Sequence, residues 1–242
     1  AAAGHDVEVI DLRQATLMPG IIEVHTHPIA SAMVRQSVDV SGFSHHSRND
    51  VMKTLKEAAD SFSPNGWVIA TGWDPMMVED LDSPTIDELD ALSPDRPLLI
   101  LTQMMHEAFG NSAAFEAAGI TDETPNPRGA EFVRDSNGQL TGQIREVKAI
   151  ERMFNAVPPI PEGTPELLTN LELARYSQNG ITTLGVLGPV GRVSDPIGTL
   201  RSLGSSPDAK VRLIVYALPP QLKATDKPHK VGRFELRGVK YW

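Results

Sequence analysis

The stretch Leu17-Met18-Pro19-Gly20-Ile21-Ile22-Glu23-Val24-His25-Thr26-His27-Pro28 decides how the rest of the sequence is read. Met18-Pro19-Gly20 forms a turn, and the apolar run over residues 21–24 predicts a buried strand that leads into His25-Thr26-His27 before Pro28 breaks it. Side chains two apart on a strand share a face, so the two imidazoles converge at the strand's C-terminal end. In a parallel βα barrel, that end of each strand belongs to the active-site face. Two imidazoles placed there can hold a zinc-like ion with positions left for water. Spacing alone does not separate this reading from a solvated pair of loop histidines, because a chain with seven histidines meets the pattern readily by chance.

Working outward, the chain alternates apolar strands with amphipathic helices. Strands are predicted over 67–71, 98–102, 181–187, 211–218 and from Gly238 onward, and a short one over 7–12. Ser47-Arg48-Asn49-Asp50 opens a helix that runs to about Ser61 with Val51, Leu55, Ala58 and Phe62 on one face. Thr85-Ile86-Asp87-Glu88 caps a short helix, and another follows from Asn111 to Ala118, closed by Gly119. Asp135-Ser136-Asn137-Gly138 signals a hairpin, and helix is expected to resume near Gln143. Thr164-Pro165 starts a helix with Leu167, Leu168, Leu171 and Ala174 inward; a further helix over 194–203 ends at Gly204. This rhythm predicts an α/β fold built of parallel βα units.

Composition narrows the chemistry. The chain has no cysteine, so a metal must be held by His, Asp, Glu or a modified side chain. Lys and Arg total 22 against 31 for Asp and Glu, a net charge of -9 that argues against a nucleic-acid partner held through phosphates. The apolar runs are too short to span a bilayer. Residues 1–6 lack the basic and apolar segments of an export signal, so the expected location is cytoplasmic.

The string from Leu17 to Pro28 resembles the start of an amidohydrolase-superfamily barrel, where a Pro-Gly turn leads from a small β-sandwich into the first barrel strand. Gly72-Trp73-Asp74-Pro75, Leu89-Asp90 and Ser93-Pro94-Asp95-Arg96-Pro97 resemble amidohydrolase family three. So do His106-Glu107-Ala108-Phe109-Gly110-Asn111-Ser112-Ala113-Ala114, Ala118-Gly119-Ile120, Arg134-Asp135, Leu140-Thr141-Gly142 and Glu146. That family includes the N-substituted formamide deformylases, and the resemblance covers essentially the whole chain.

The resemblance implies hydrolysis of an amide-like C–N bond of a small molecule by metal-activated water, with one or two divalent ions, zinc being favoured by imidazole ligands. It assigns His25 and His27 as metal ligands. It also matches Lys240, in Gly238-Val239-Lys240, to a lysine that binuclear members carry as a metal-bridging carbamate. His106, Trp73 and Asp74 are the residues it associates with substrate.

By the same resemblance, residues 1–19 are a β-sandwich remnant. Residues 20–242 form the first half of a (β/α)8 barrel, about four of eight strands, with an inserted α/β region at about 61–150. The general-base aspartate is then expected beyond Trp242, as in a truncated stretch of a longer frame. Two alternatives stand beside this reading. One is a mononuclear deaminase or cyclic-amide hydrolase with an unmodified Lys240. The other is an inactive fragment that folds by self-association as a homo-oligomer, since a half barrel leaves strand edges unpaired.

Overall fold

The computed structural model describes residues 10–61, 66–222 and 226–241. In chain order its elements are β1 (Ile21–Thr26), α1 (Pro28–Val34), β2 (Val38–Asp39), α2 (Arg48–Asp60), β3 (Val68–Trp73), α3 (Ile86–Leu92), β4 (Leu98–Thr102) and β5 (Glu107–Gly110). They continue with α4 (Ser112–Ala117), β6 (Glu131–Arg134), β7 (Leu140–Arg145), α5 (Val147–Phe154), α6 (Thr164–Gln178) and β8 (Ile181–Leu187). The last are α7 (Pro196–Ser205), β9 (Arg212–Ala217), β10 (His229–Val231) and β11 (Phe234–Val239). They divide between two compact units, one of residues 1–30 with 166–242 and one of residues 31–165. Among the described residues, no helix is long and apolar enough to cross a membrane.

The first unit is a sheet in the order β1-β8-β9-β11-β10, parallel from β1 to β11, with β10 added antiparallel. Its core is the inward set of the central strands, Leu184, Val186, Leu213, Val215, Phe234 and Leu236, covered by Ile197 and Leu200 of α7. Each such side chain contributes roughly 1.5–3 kcal/mol by leaving water. Gly204, expected to stop the helix, lies inside α7. A Cβ there would come within 2.8 Å of the Phe234 Cβ, so the glycine lets the helix settle on β11.

α6 corrects the expected inward face. Thr169, Glu172 and Leu173 are buried while Leu167 and Leu171 are exposed, and Arg175 stands 3.5 Å from the buried Glu172 carboxylate. β1 lies at the edge of the sheet, and its Ile21, Ile22 and Val24 are exposed, not buried as an apolar run suggests.

Pairing of β1 with β8 sets the local geometry. The partners run Glu23 to Leu184 and then Thr26 to Val186, so Val24 and His25 together oppose the single residue Gly185. That is a β-bulge, one extra residue that bends its strand and re-aims the side chains beyond it. Gly185 permits it: a Cβ at this position would stand 2.4 Å from the Val24 carbonyl oxygen.

The second unit is a six-stranded sheet, β2-β3-β4-β5-β7-β6, parallel through β4 and antiparallel beyond it. Besides 61–150 it takes in β2 and α2. β4 is buried on both faces: Leu98 and Ile100 join one core with α2 and α3, Leu99 and Leu101 the other with α4 and α5. Both predicted caps form. Ser47 accepts from the Asp50 N–H, and Thr85 and Glu88 make a reciprocal capping box. The 135–138 turn joins β6 to β7, with Gly138 left-handed.

Two further expectations need correction. Helix does not resume at Gln143; residues 140–145 are strand β7, and α5 begins at Val147. Pro28 does end the strand as expected, and it is also the first residue of helix α1. The last predicted strand starts at Phe234, not Gly238, which puts Lys240 just beyond it. The short strand expected over 7–12 and the β-sandwich remnant over 1–19 fall partly on residues 1–9, which with Phe62 lie outside the described residues; residues 10–19 are described and form no strand.

Asn111 joins the second unit's elements. Fully buried, it accepts at Oδ1 from the N–H groups of Leu98 and Ala114, both at 2.9 Å. Its amide donates to the carbonyls of Ser93 and Arg96, both at 2.8 Å. All four hydrogen-bonding positions of the side chain are used.

Two outcomes test these constraints by urea denaturation. Asn111→Ala strands two donors and two acceptors and is expected to cost about 3–5 kcal/mol, with Asn111→Asp giving no rescue because a carboxylate cannot donate. Gly185→Ala is expected to cost about 1–3 kcal/mol through overpacking against β1. A loss below about 0.5 kcal/mol in either would refute the role given to that residue.

Candidate metal centre

His25 and His27 sit at the C-terminal end of β1, His25 within the bulge and His27 one residue past the strand. Their rings approach edge to face with centroids 5.3 Å apart. The convergence expected of a regular strand therefore occurs, but the bulge and the strand end produce it. Between them, Thr26 is buried, and its Oγ1 lies 2.9 Å from the Tyr176 hydroxyl of α6, which ties the intervening backbone to a helix.

Two backbone carbonyls at the end of β8 complete the arrangement. His27 Nδ1 is 2.9 Å from the Gly188 carbonyl oxygen. A carbonyl can only accept, so Nδ1 holds the proton and Nε2 presents its lone pair. This is the second-sphere pattern common among metal-binding histidines. Lys240, next after β11, donates from Nζ to the adjacent Leu187 carbonyl at 3.0 Å. The ends of β1, β8 and β11 thus gather His25, His27 and Lys240.

Burial lowers the His27 pKa below its ordinary value, and the charges of His25 and Lys240 push the same way against the Gly188 hydrogen bond. The surroundings therefore favour the neutral ring, the form in which an imidazole binds metal. Among the described residues, no three His, Cys, Asp or Glu side chains form a group able to hold a metal. What the strand ends bring together is the histidine pair and Lys240.

The other three candidate residues lie in the second unit. Trp73 is a core residue, its ring 5.7 Å from Phe109 with the Arg48 guanidinium 5.9 Å over it, so its visible role is packing. Asp74 builds a turn: its carboxylate accepts from the Met76 N–H at 2.8 Å, and its carbonyl from Met77 and Val78. His106 is exposed and pairs through Nδ1 with the Glu146 carboxylate at 3.1 Å. The pair borders a cavity of about 440 Å³ also lined by Glu107, Glu131 and Arg145. Met105 and Glu146 beside it have left-handed backbones, at φ 59° and 69°.

His45 is half-buried, with Nε2 2.9 Å from the Thr54 hydroxyl. Sequence reasoning missed Thr26, Tyr176, Leu187 and Gly188. Only Gly188, standing at a strand end, left any trace in the sequence.

The chain is similar to known proteins. The sequence pattern of the Amidohydrolase family matches residues 8–240. The protein YtcJ of Bacillus subtilis (strain 168) is 35% identical over 157 residues, 65% of this chain and 29% of its own length. The N-substituted formamide deformylase of Arthrobacter pascens is 32% identical over 148 residues, 61% of this chain and 27% of its own. The chain thus spans under a third of the length of these relatives. The crystal structure of an uncharacterized metal-dependent hydrolase from Pyrococcus horikoshii OT3 superposes with a TM-score of 0.62 at 19% identity, covering 92% of this chain and 42% of that one. With nearly every residue inside the matched pattern and paired histidines at the end of the first strand, this chain belongs to the amidohydrolase family.

Proposed function

We propose that this chain carries the first part of the active site of a metal-dependent hydrolase that cleaves an amide-like C–N bond with water. The observation that carries the reading is His27, whose Nδ1 proton is committed to Gly188 so that Nε2 presents a lone pair beside His25 and Lys240. The donor set fits a divalent ion: imidazoles suit zinc, and Lys240 would supply an oxygen ligand if its amine carried carbon dioxide as a carbamate. When bound, such an ion lowers the pKa of water toward neutrality and polarises the substrate carbonyl. The protein's part is to orient both imidazoles, through the β1 bulge, the Thr26–Tyr176 hydrogen bond and the Gly188 carbonyl.

The consecutive parallel strands β1, β8, β9 and β11 are read as the first four strands of a (β/α)8 barrel, whose active site lies at their C-terminal ends. An N-substituted formamide is the first substrate to try, by likeness to the Arthrobacter pascens enzyme. A second reading, one ion without the lysine, draws support from the Lys240 Nζ contact with the Leu187 carbonyl, in which the lysine acts as an amine donor.

Zinc titration by calorimetry tests the site. His25→Ala and His27→Ala are each expected to weaken binding by more than the roughly 100-fold that loss of a supporting group costs. Unchanged affinity in both would remove the metal reading. Metal analysis after growth with bicarbonate separates the two versions: two ions per chain support the carbamate, one supports the mononuclear site.

A pH dependence follows from His27. Its folded pKa lies below the unfolded value, so the unfolded chain takes up the proton first. The stability of the metal-free protein is then expected to fall as pH drops below the unfolded value of about 6.5, until the folded pKa is passed. His27→Gln should flatten that part of the profile; an unchanged slope would show that His27 is not the titrating group.

A further inference from the structure

We propose that Gly188 is the positioning residue of this centre, its left-handed backbone setting the angle between the two consecutive carbonyls that hold Lys240 and His27. The inference rests on the metal-site reading and adds to it the residue that orients the ligands.

The peptide joining Leu187 to Gly188 is fixed at both ends: its carbonyl accepts from Lys240 Nζ at 3.0 Å, and its N–H donates to the Tyr216 carbonyl at 2.7 Å. The next carbonyl, that of Gly188, accepts from His27 Nδ1 at 2.9 Å. In an extended strand, consecutive carbonyls point to opposite neighbours. Here they serve two side chains close enough for the Lys240 charge to act on His27.

The dihedrals of Gly188 determine how the second acceptor is turned from the first, and its φ is +80°. That region is open to glycine and strained for residues with a Cβ. Space adds a second restriction, since a Cβ on Gly188 would stand 2.8 Å from Leu218 Cδ2 and 3.5 Å from Lys240 Cδ.

The experiment uses the whole chain, metal-free and zinc-titrated. Long-range ¹⁵N–¹H spectra at pH 8 report which nitrogen of His27 carries the proton. The wild type is expected to show Nδ1–H, and Gly188→Ala a shift toward Nε2–H together with a 10- to 100-fold loss of zinc affinity. Gly163→Ala is the control for backbone strain, because Gly163 is also left-handed, at φ +79°, with nothing within 4 Å of its Cβ position. It should leave both readouts unchanged.

If Gly188→Ala does not fold, the Leu218→Ala background removes the crowding and keeps the backbone strain, and the same shift is expected there on adding Gly188→Ala. Retention of Nδ1–H and of zinc affinity in a folded Gly188 variant overturns the proposal. A tautomer shift in a chain that binds no zinc even as wild type would overturn the metal reading and leave the positioning role standing.

Discussion

The close approach of β8 to β1 at Gly185 is the constraint on which the rest of the site depends. A hydrogen in place of a Cβ lets β8 press against the Val24 carbonyl, and β1 responds with one extra residue opposite that point. The bulge lies at Val24 and His25, so the first candidate ligand stands where the ladder is irregular. Beyond it, Thr26 pairs with Val186 and its hydroxyl meets Tyr176, while His27 reaches the carbonyl that follows β8. None of these contacts is local in sequence. The second unit intervenes between β1 and β8, and closing that long connection costs entropy that the ladder and the core beneath it must outweigh.

The residues that make the sequence most recognisable are chiefly those that hold loops. Asn111 fastens the start of α4 to β4 and to the 93–96 turn, and Ser112 beside it takes both oxygens of the Asp90 carboxylate, at 2.8 and 2.7 Å. Arg134 donates to the carbonyls of Asp122, Thr124 and Phe132 and gathers the Pro-rich segment before β6. Backbone groups without a ladder partner must be satisfied by side chains, and few residue types can do so at a given geometry. A loop-holding motif is therefore more specific than the two histidines it accompanies. Family membership and chemistry are consequently read from different parts of the chain.

Elements governed by local pattern were legible. Residues 98–102 and 181–187 are strands as the apolar runs indicated, and the Thr85 capping box sits where its four residues predicted. Legibility failed where tertiary context overrode local preference. α6 turns Leu167 and Leu171 outward and buries Glu172, a placement no periodicity favours. β5 and β6 are four residues each and carry Glu and Arg, too short and too polar to show an alternation. The histidine pair and Lys240 could be nominated from the sequence as candidates, whereas the groups that contact them could not. A main-chain carbonyl such as that of Leu187 has the same chemistry in every residue, so only the fold distinguishes it.

Charge balance bears on what Lys240 does. His25, His27 and Lys240 are groups that gain positive charge on protonation, and among the described residues no Asp or Glu joins the two histidines in a metal-capable group. Burial lowers the conflict by favouring the neutral form of His27. A dication on the histidine pair would still face the lysine ammonium, and cations repel more strongly where water is partly excluded. A carbamate would reverse the sign at that position and offer an oxygen donor in place of repulsion. A lysine that keeps its proton on the Leu187 carbonyl instead limits the site to an ion held at some distance from Nζ. The two readings of the reaction thus reduce to the charge state of one side chain, and its surroundings are set by the same pair of carbonyls at the end of β8.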